Sequence, residues 1–486
     1  MLNMLKRLLL LLGLLFCSVA AVAEPIVYRV GIKENLEFLE KDRSERMDLY
    51  YPADPRPGDK FPGIVIIHGG SWIRGIRNAE REINIGSNLA RMGYVCISID
   101  YRLANPENLA KYGKTFPVNI QDCKKAVLWL RRNAADLHLD PGKIGCIGGS
   151  AGGHLAALLS VAGADVGLEP ESSGEKADSS IQACINLYGV TDFIGFRLGR
   201  GAGKFRTLVM GSAPDQNRAE WIRCSPVELV DANDPPMLQI YASADKVVHF
   251  RQGELMKKEL DRHGVYNEYI LLDGFGHVFN LQRWRGKPLP RMVRQRVLAF
   301  YDRFLKNLSP EEAEKRFIAL EKFEKAHPES AYYGITTLSD GKVDSTKPGV
   351  PIVSSGRKIH FDAAFDMKLE KLIQAEMTAS CAGRTVIVSG KNGADGTLEC
   401  QEIVFPGKDS MDISGIKGIL KKCDDSWTLE VKGKKTVKLN ISAASRIYNC
   451  IPVKMEEIKS GWRVRFLRAR NYGDQCKIIY GLFADR

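Results

Sequence analysis

No pair of cysteines or histidines in this chain has the spacing of a metal site. The 8 histidines are scattered, and neither a Cys-x-x-Cys nor a His-x-x-x-His pair occurs. That sets aside the common zinc arrangements, and no metal or cofactor is expected. Long apolar runs are missing too, outside the first 23 residues. No membrane-spanning segment is therefore expected in the mature chain. The last quarter shows no tandem repeat, no low-complexity tract and no catalytic constellation.

Most of the rest is ordinary. Hydrophobic residues make up 44% and charged residues 26% of 486 positions, as in soluble globular proteins with room for two or three domains. The N-terminus differs. Lys6-Arg7 precedes an apolar run from Leu8 to Phe16, and Ala21-Val22-Ala23 follows. A basic start, an apolar middle and a small-residue site predict a signal peptide, residues 1–23, cut after Ala23. An uncleaved anchor is the alternative. Cys17 does not make a lipoprotein site, because Phe16 before it is too bulky. The mature protein is then expected in the periplasm or outside the cell, where nucleic acid is not a natural partner.

Export bears on the cysteines. Cys96, Cys123, Cys146, Cys184 and Cys224 lie in the first 307 residues, three of them in strand-like runs that suit buried small apolar groups. Cys381, Cys400, Cys423, Cys450 and Cys476 lie in the tail. An oxidising compartment permits disulfides there, but five is odd and sequence does not fix connectivity. The net charge is +12, and residues 377–486 carry 19 basic against 12 acidic side chains. A solvated basic face explains this excess, and contact with acidic polysaccharide or an anionic surface is the functional alternative.

Chemistry concentrates around Gly148-Gly149-Ser150-Ala151-Gly152. The apolar run Lys143–Ile147 before it reads as a buried strand, and His154–Ala162 after it as a helix. Strand, tight turn and helix are the setting of a nucleophile elbow, which lifts a serine hydroxyl above a sheet. A serine alcohol needs a base in contact, and the base needs a carboxylate to fix its tautomer. Asp245, just past the apolar run Met237–Ala242, is the acid candidate. His277, inside Gly274-Phe275-Gly276-His277, is the base candidate. Asp273 shares the loop of His277 and suits a turn or capping role. A third apolar run, Phe61–Ile67, leads into His68-Gly69-Gly70-Ser71-Trp72. The N–H groups of Gly69, Gly70 and Ala151 are the expected oxyanion hole. His68 is expected to brace this loop, and Trp72 either stacks on a ligand ring or walls the pocket. Asp122 sits on an amphipathic helix and is expected to hold the Tyr101-Arg102 loop, while His154 packs at the helix start.

At these residues the chain resembles the α/β-hydrolase esterases related to hormone-sensitive lipase. The likeness is greatest to bacterial carboxylesterases with feruloyl and acetylxylan esterase members. The matching features are the His68–Trp72 loop, Tyr101-Arg102-Leu103-Ala104, and Asp122 with Ala126, Trp129, Leu130 and Arg131. Asp140-Pro141, the Ser150 elbow, Ser225-Pro226, Asp245 and His277 complete the set. The order serine, aspartate, histidine is that of these hydrolases. The resemblance spans about residues 28–306, a little under 60% of the chain. Many relatives have a third glycine where Ser71 stands, which bears on pocket shape. The resemblance implies an α/β fold with a mostly parallel sheet and helices on both faces. With export, it implies hydrolysis of a small ester or an esterified polysaccharide, with acetyl or feruloyl groups.

Two other readings stay open. Prolyl-oligopeptidase-like peptidases use a similar elbow, but usually carry a large propeller that the roughly 40 mature residues before the first motif cannot build. A carbohydrate- or surface-binding protein with a vestigial hydrolase is the other, against which stands the complete set of catalytic residues. Domain limits follow: catalytic residues 24–307, helical segments and linker 308–378, and a β-rich domain 379–486. Within the second, Ser309-Pro310-Glu311-Glu312 predicts a capped helix to about Ala326, residues 327–356 read as linker, and residues 362–378 as helix. Strand runs and a turn at Lys432-Gly433-Lys434 suggest a small OB-like barrel in the third.

Overall fold

The computed structural model describes residues 26–171, 178–194 and 208–327 with their side chains, together with Tyr333 and Gly334. It adds the backbone of residues 206–207 and of strands between 335 and 484. The segment read as a signal peptide lies outside the described residues.

Buried apolar runs build the first sheet. Its strands are β1 (Val30–Leu36), β2 (Met47–Pro52), β3 (Phe61–Ile67), β4 (Val95–Ile99), β5 (Leu139–Gly149), β6 (Ala183–Leu187), β7 (Met237–Ala242) and β8 (Asn267–Leu272). Their order is β1-β2-β4-β3-β5-β6-β7-β8. Strand β2 is antiparallel to both neighbours, and every other adjacent pair is parallel. All residues of β3, β4, β6 and β7 are buried. A strand buried along its whole length is covered on both faces.

The helices supply that cover: α1 (Glu80–Arg91), α2 (Pro106–Tyr112), α3 (Val118–Arg132), α4 (Ala151–Val161), α5 (Arg218–Cys224), α6 (Arg251–Arg262), α7 (Arg291–Lys306) and α8 (Pro310–Ala326). Neighbouring residues of β5 show two of them on opposite sides. A Cβ at Gly145 would lie 3.0 Å from the Tyr301 ring of α7, whereas Cys146 directs its Sγ to the Ala156 carbonyl of α4 at 3.4 Å. Successive strand residues point to opposite faces, so α4 and α7 sandwich the sheet. This is the mostly parallel α/β-hydrolase arrangement expected from the sequence. Among the described residues no helix is long and apolar enough to cross a membrane.

Three boundaries differ from expectation. First, α8 belongs to the hydrolase layer, and the limit at residue 307 is set too early. Its capping box forms as expected, with Glu312 N–H on Ser309 Oγ at 3.2 Å and Ser309 N–H on Glu312 Oε2 at 2.7 Å. Its Phe317 and Leu320 enter the main core, and Glu324 takes both Nη groups of Arg294 at 2.7 and 2.9 Å. An apolar stripe within a charged sequence decided the packing.

Second, residues 327–356 are not a linker, since strands occupy Gly334–Leu338, Gly341–Val343 and Val350–Ser354. Short strands joined by turns have the same Gly, Pro and Ser content as a linker.

Third, the expected helix at 362–378 is a strand, Arg357–Gln374. Ile359, Phe361, Ala363, Phe365, Met367, Leu369 and Ile373 alternate with mostly polar residues. That is period two, which a count of helix-forming residues hides. The β-rich region thus begins near residue 334 rather than 379, and its strands join one 12-stranded sheet, not a five-stranded OB-like barrel. The turn expected at Lys432-Gly433-Lys434 lies outside the described residues, between antiparallel strands Ser426–Glu430 and Val437–Asn440.

Candidate active site

Ser150 stands at the carboxyl end of β5, on the edge of a parallel sheet where ligands bind. Its backbone is strained, with φ 58° and ψ −121°, a region that non-glycine residues rarely enter without tertiary support. Its N–H bonds the Leu187 carbonyl at 2.9 Å, and α4 begins at the next residue. The turn brings backbones into direct contact. At Gly152 a Cβ would fall 2.0 Å from the Ile67 carbonyl oxygen, so only glycine fits there.

The carboxyl ends of β5 and β7 and the loop after β8 bring three side chains together. His277 Nε2 lies 2.9 Å from Ser150 Oγ, and His277 Nδ1 lies 2.6 Å from Asp245 Oδ2. Asp245 Oδ1 accepts from the N–H groups of Val247 and Val248 at 2.8 and 3.0 Å. The carboxylate has therefore no remaining freedom to turn. It fixes a proton on Nδ1 of His277, which leaves Nε2 as an acceptor toward the serine hydroxyl.

Gly69 and Gly70 reach the same point from the end of β3. A Cβ on Gly69 would lie 3.2 Å from Ser150 Cβ. Gly70, at φ 123°, accepts from the N–H groups of Ile73 and Arg74 in a tight turn. Among the described residues, no hydrogen bond is donated by the N–H of Gly69, Gly70 or Ala151. Their donors are thus available at the mouth of the elbow. His68 is buried, stacks on Tyr101 with centroids 4.4 Å apart and places Nδ1 2.8 Å from the Gly69 carbonyl. Burial pushes its imidazole toward the neutral form. It braces this loop.

The remaining sequence candidates take structural places. Asp273 accepts from Ser243 Oγ at 2.9 Å, which in turn caps the Gly274 N–H, so it shapes the turn before His277. Asp122 accepts the Arg102 N–H at 3.0 Å. Trp72 is buried, not an open stacking platform. Its Nε1–H donates to His154 Nδ1 at 3.1 Å. His154 Nε2 lies 2.8 Å from the Cys224 carbonyl, so the proton of this neutral ring is on Nε2. Burial lowers its pKa to about 4. Cys96, Cys123, Cys146, Cys184 and Cys224 are buried free thiols. The side chains of the five tail cysteines lie outside the described residues.

Two pieces were not visible in the sequence. Arg43 clasps Asp122 with Nη1 and Nη2 at 3.0 and 2.6 Å. Arg81, on the first turn of α1, donates to Glu82 through Nε at 2.9 Å and to Tyr188 Oη through Nη1 at 3.1 Å. Tyr188 donates onward to the Phe279 carbonyl at 2.8 Å, and its ring meets the His277 ring edge-on at 4.9 Å. This chain of contacts ties the start of α1 to the loop carrying His277. The only sequence hint was the position of Tyr188 just past β6. A cleft of about 720 Å³ opens over Ser150 and His277, lined by Gly69, Gly70 and Ser71 on one side and by Val278–Asn280 on the other. Among the described residues no cluster of three His, Cys, Asp or Glu has the makings of a metal site.

Comparison with known proteins shows what the region around this site is similar to. Residues 47–260 match the model of the BD-FAE family. That span includes the His68–Trp72 loop, Ser150 and Asp245, and ends before His277. Esterase LipQ of Mycobacterium tuberculosis is 31% identical over 266 residues, 54% of this chain and 58% of its own length. Esterase LipC of the same organism is 31% identical over 246 residues, covering 49% and 58%. The match thus spans a little over half the length of these relatives. A truncated form of a carbohydrate esterase from gut microbiota is 25% identical, with a TM-score of 0.42 over 52% of this chain and 91% of that one.

Proposed function

We propose that this chain, whose residues 47–260 match the BD-FAE family model, hydrolyses carboxylic esters through an acyl-enzyme. The esterases to which it is homologous support the reaction class. The observation that carries the reading is the unbroken contact from Asp245 through His277 to Ser150, at 2.6 and 2.9 Å.

The proposed steps follow from that contact. His277 Nε2 accepts the Ser150 proton as Oγ attacks the ester carbonyl. The oxyanion is met by the N–H groups of Gly69, Gly70 and Ala151, each typically worth a factor of about 100–1,000 in turnover. Collapse expels the alcohol, which takes the proton from His277. A water deprotonated by the same nitrogen then releases the acid and restores Ser150. A vestigial site has no reason to keep Ser150 strained against an aligned base. Export by the N-terminal segment and esterified polysaccharide as a natural substrate complete the proposal, on the strength of the basic-apolar-small pattern and the family resemblance.

Turnover of p-nitrophenyl acetate, acetylated xylan and methyl ferulate by the wild type and Ser150→Ala tests this. Hydrolysis of at least one ester, lost in the variant, is expected. An unchanged rate in Ser150→Ala would overturn the assignment.

A further inference from the structure

The cleft over Ser150 is lined by more basic than acidic side chains. Arg74, Arg81, Arg283 and Arg285 line it, against Glu80 and Glu82. Arg81 is bonded to Glu82. Arg74, Arg283 and Arg285 are exposed at the rim, where Glu80 is the one acidic lining residue. Ile76, Ala79, Val247, Val278 and Phe279 supply its apolar lining.

Arg285 is held there at a conformational cost. Strands β9 (Arg283–Trp284) and β10 (Lys287–Pro288) pair antiparallel, with Trp284 opposite Lys287. The two residues between them, Arg285 and Gly286, have φ 49° and 78°. This is a two-residue turn with both φ values positive, where asparagine or aspartate normally precedes glycine. An arginine at that place is strained, and its guanidinium lies over the Trp284 ring, 5.4 Å from the centroid. The hairpin is also tied to the base, because Trp284 Nε1–H donates to the His277 carbonyl at 3.3 Å.

We infer that the preferred ester carries a carboxylate on its alcohol portion, held by Arg285 and Arg74. The side follows from the chemistry. His277 gives its proton to the departing alcohol, so the alcohol lies toward His277 and the hairpin that follows it. Arg74 lines the same cleft from the loop that follows Gly69 and Gly70. A guanidinium binds carboxylate in a planar, two-point fashion that a neutral group cannot match. An acidic sugar bearing an acyl ester is one alcohol of this class. The inference rests on the proposed esterase reaction.

Paired substrates test it. The alcohol-side pair is 4-acetoxybenzoate and its neutral methyl ester; the acyl-side pair is phenyl hydrogen succinate and phenyl butyrate. Wild type is compared with Arg285→Asn, which the turn accommodates better than arginine, and with Arg285→Asn/Arg74→Gln. Intrinsic reactivity cancels between enzyme forms. The double variant should lose about five- to ten-fold in kcat/KM on 4-acetoxybenzoate through KM, the scale of two exposed ion pairs. It should change less than about two-fold on the methyl ester. Raising salt to 1 M, where the screening length is about 3 Å, should produce most of that loss in the wild type. Equal changes on both members of the alcohol-side pair would overturn the inference, and so would a loss confined to the succinate. A wild type inactive on all four esters would instead defeat the esterase reading itself.

Discussion

Asp245 reaches His277 through one carboxylate oxygen at 2.6 Å while two backbone N–H groups hold the other. Asp273, four residues before His277, touches Ser243 instead. Asp245→Asn should therefore lower kcat on p-nitrophenyl acetate by as much as about 10,000-fold, since an amide fixes the wrong tautomer of the base. Asp273→Asn should stay within a few-fold of wild type. Comparable losses in the two variants would contradict this division.

Gly152→Ala should cripple both folding and turnover. Its Cβ would meet the Ile67 and His68 carbonyl oxygens at 2.0 and 2.6 Å, and strain of this kind typically costs about 1–3 kcal/mol or more. Gly58→Ala, at φ 86° with nothing within 4 Å, should cost roughly 1 kcal/mol and leave kcat unchanged. Thermal unfolding and p-nitrophenyl acetate turnover of both variants would check the contrast.

How much was legible follows the range of the interactions. Strands β3 and β7 fall on the residues where continuous apolar runs placed them, and the Ser309–Glu312 capping box is local chemistry. The elbow was legible for the same reason: a strand, tiny residues and a helix sit together in the sequence. The clasp of Asp122 by Arg43 joins residues 79 apart, and the bond from Arg81 to Tyr188 joins residues 107 apart. No local pattern encodes either. At Arg357–Gln374 the period-two signal was present, but Lys, Glu, Leu and Ala favour helices, and the propensity hid the pattern.

The placement of α8 predicts where the chain tolerates a cut. Ending it after Leu308 removes Phe317 and Leu320 from the core, a loss of about 1.5–3 kcal/mol for each side chain. It also strands Arg294, which is paired to Glu324. Ending it after Gly334 keeps these, along with the Tyr333 carbonyl that accepts from Asn84 at 3.0 Å. The longer fragment should unfold at a clearly higher temperature and hydrolyse p-nitrophenyl acetate. Equal melting temperatures would show that α8 adds nothing to the core.

Stability should carry a mark of His154. In the folded chain its pKa is lowered to about 4 from 6.5, so below 6.5 the unfolded chain binds a proton that the native ring refuses. Stability from this group is whole above pH 6.5 and falls as pH drops toward 4, by on the order of 3 kcal/mol. His154→Gln should be less stable than wild type at pH 7.5 yet show a flatter loss between pH 6.5 and 4.5. Parallel denaturation profiles across that range would contradict the burial argument.

The most direct test of the account is where a covalent serine-directed agent lands. A fluorophosphonate probe, followed by peptide mass spectrometry, should modify Ser150 stoichiometrically in the wild type. Labelling should become far slower in His277→Ala and disappear in Ser150→Ala, with ester turnover falling in step. Modification at another serine, or ester hydrolysis that persists in a chain left unlabelled at Ser150, would contradict it.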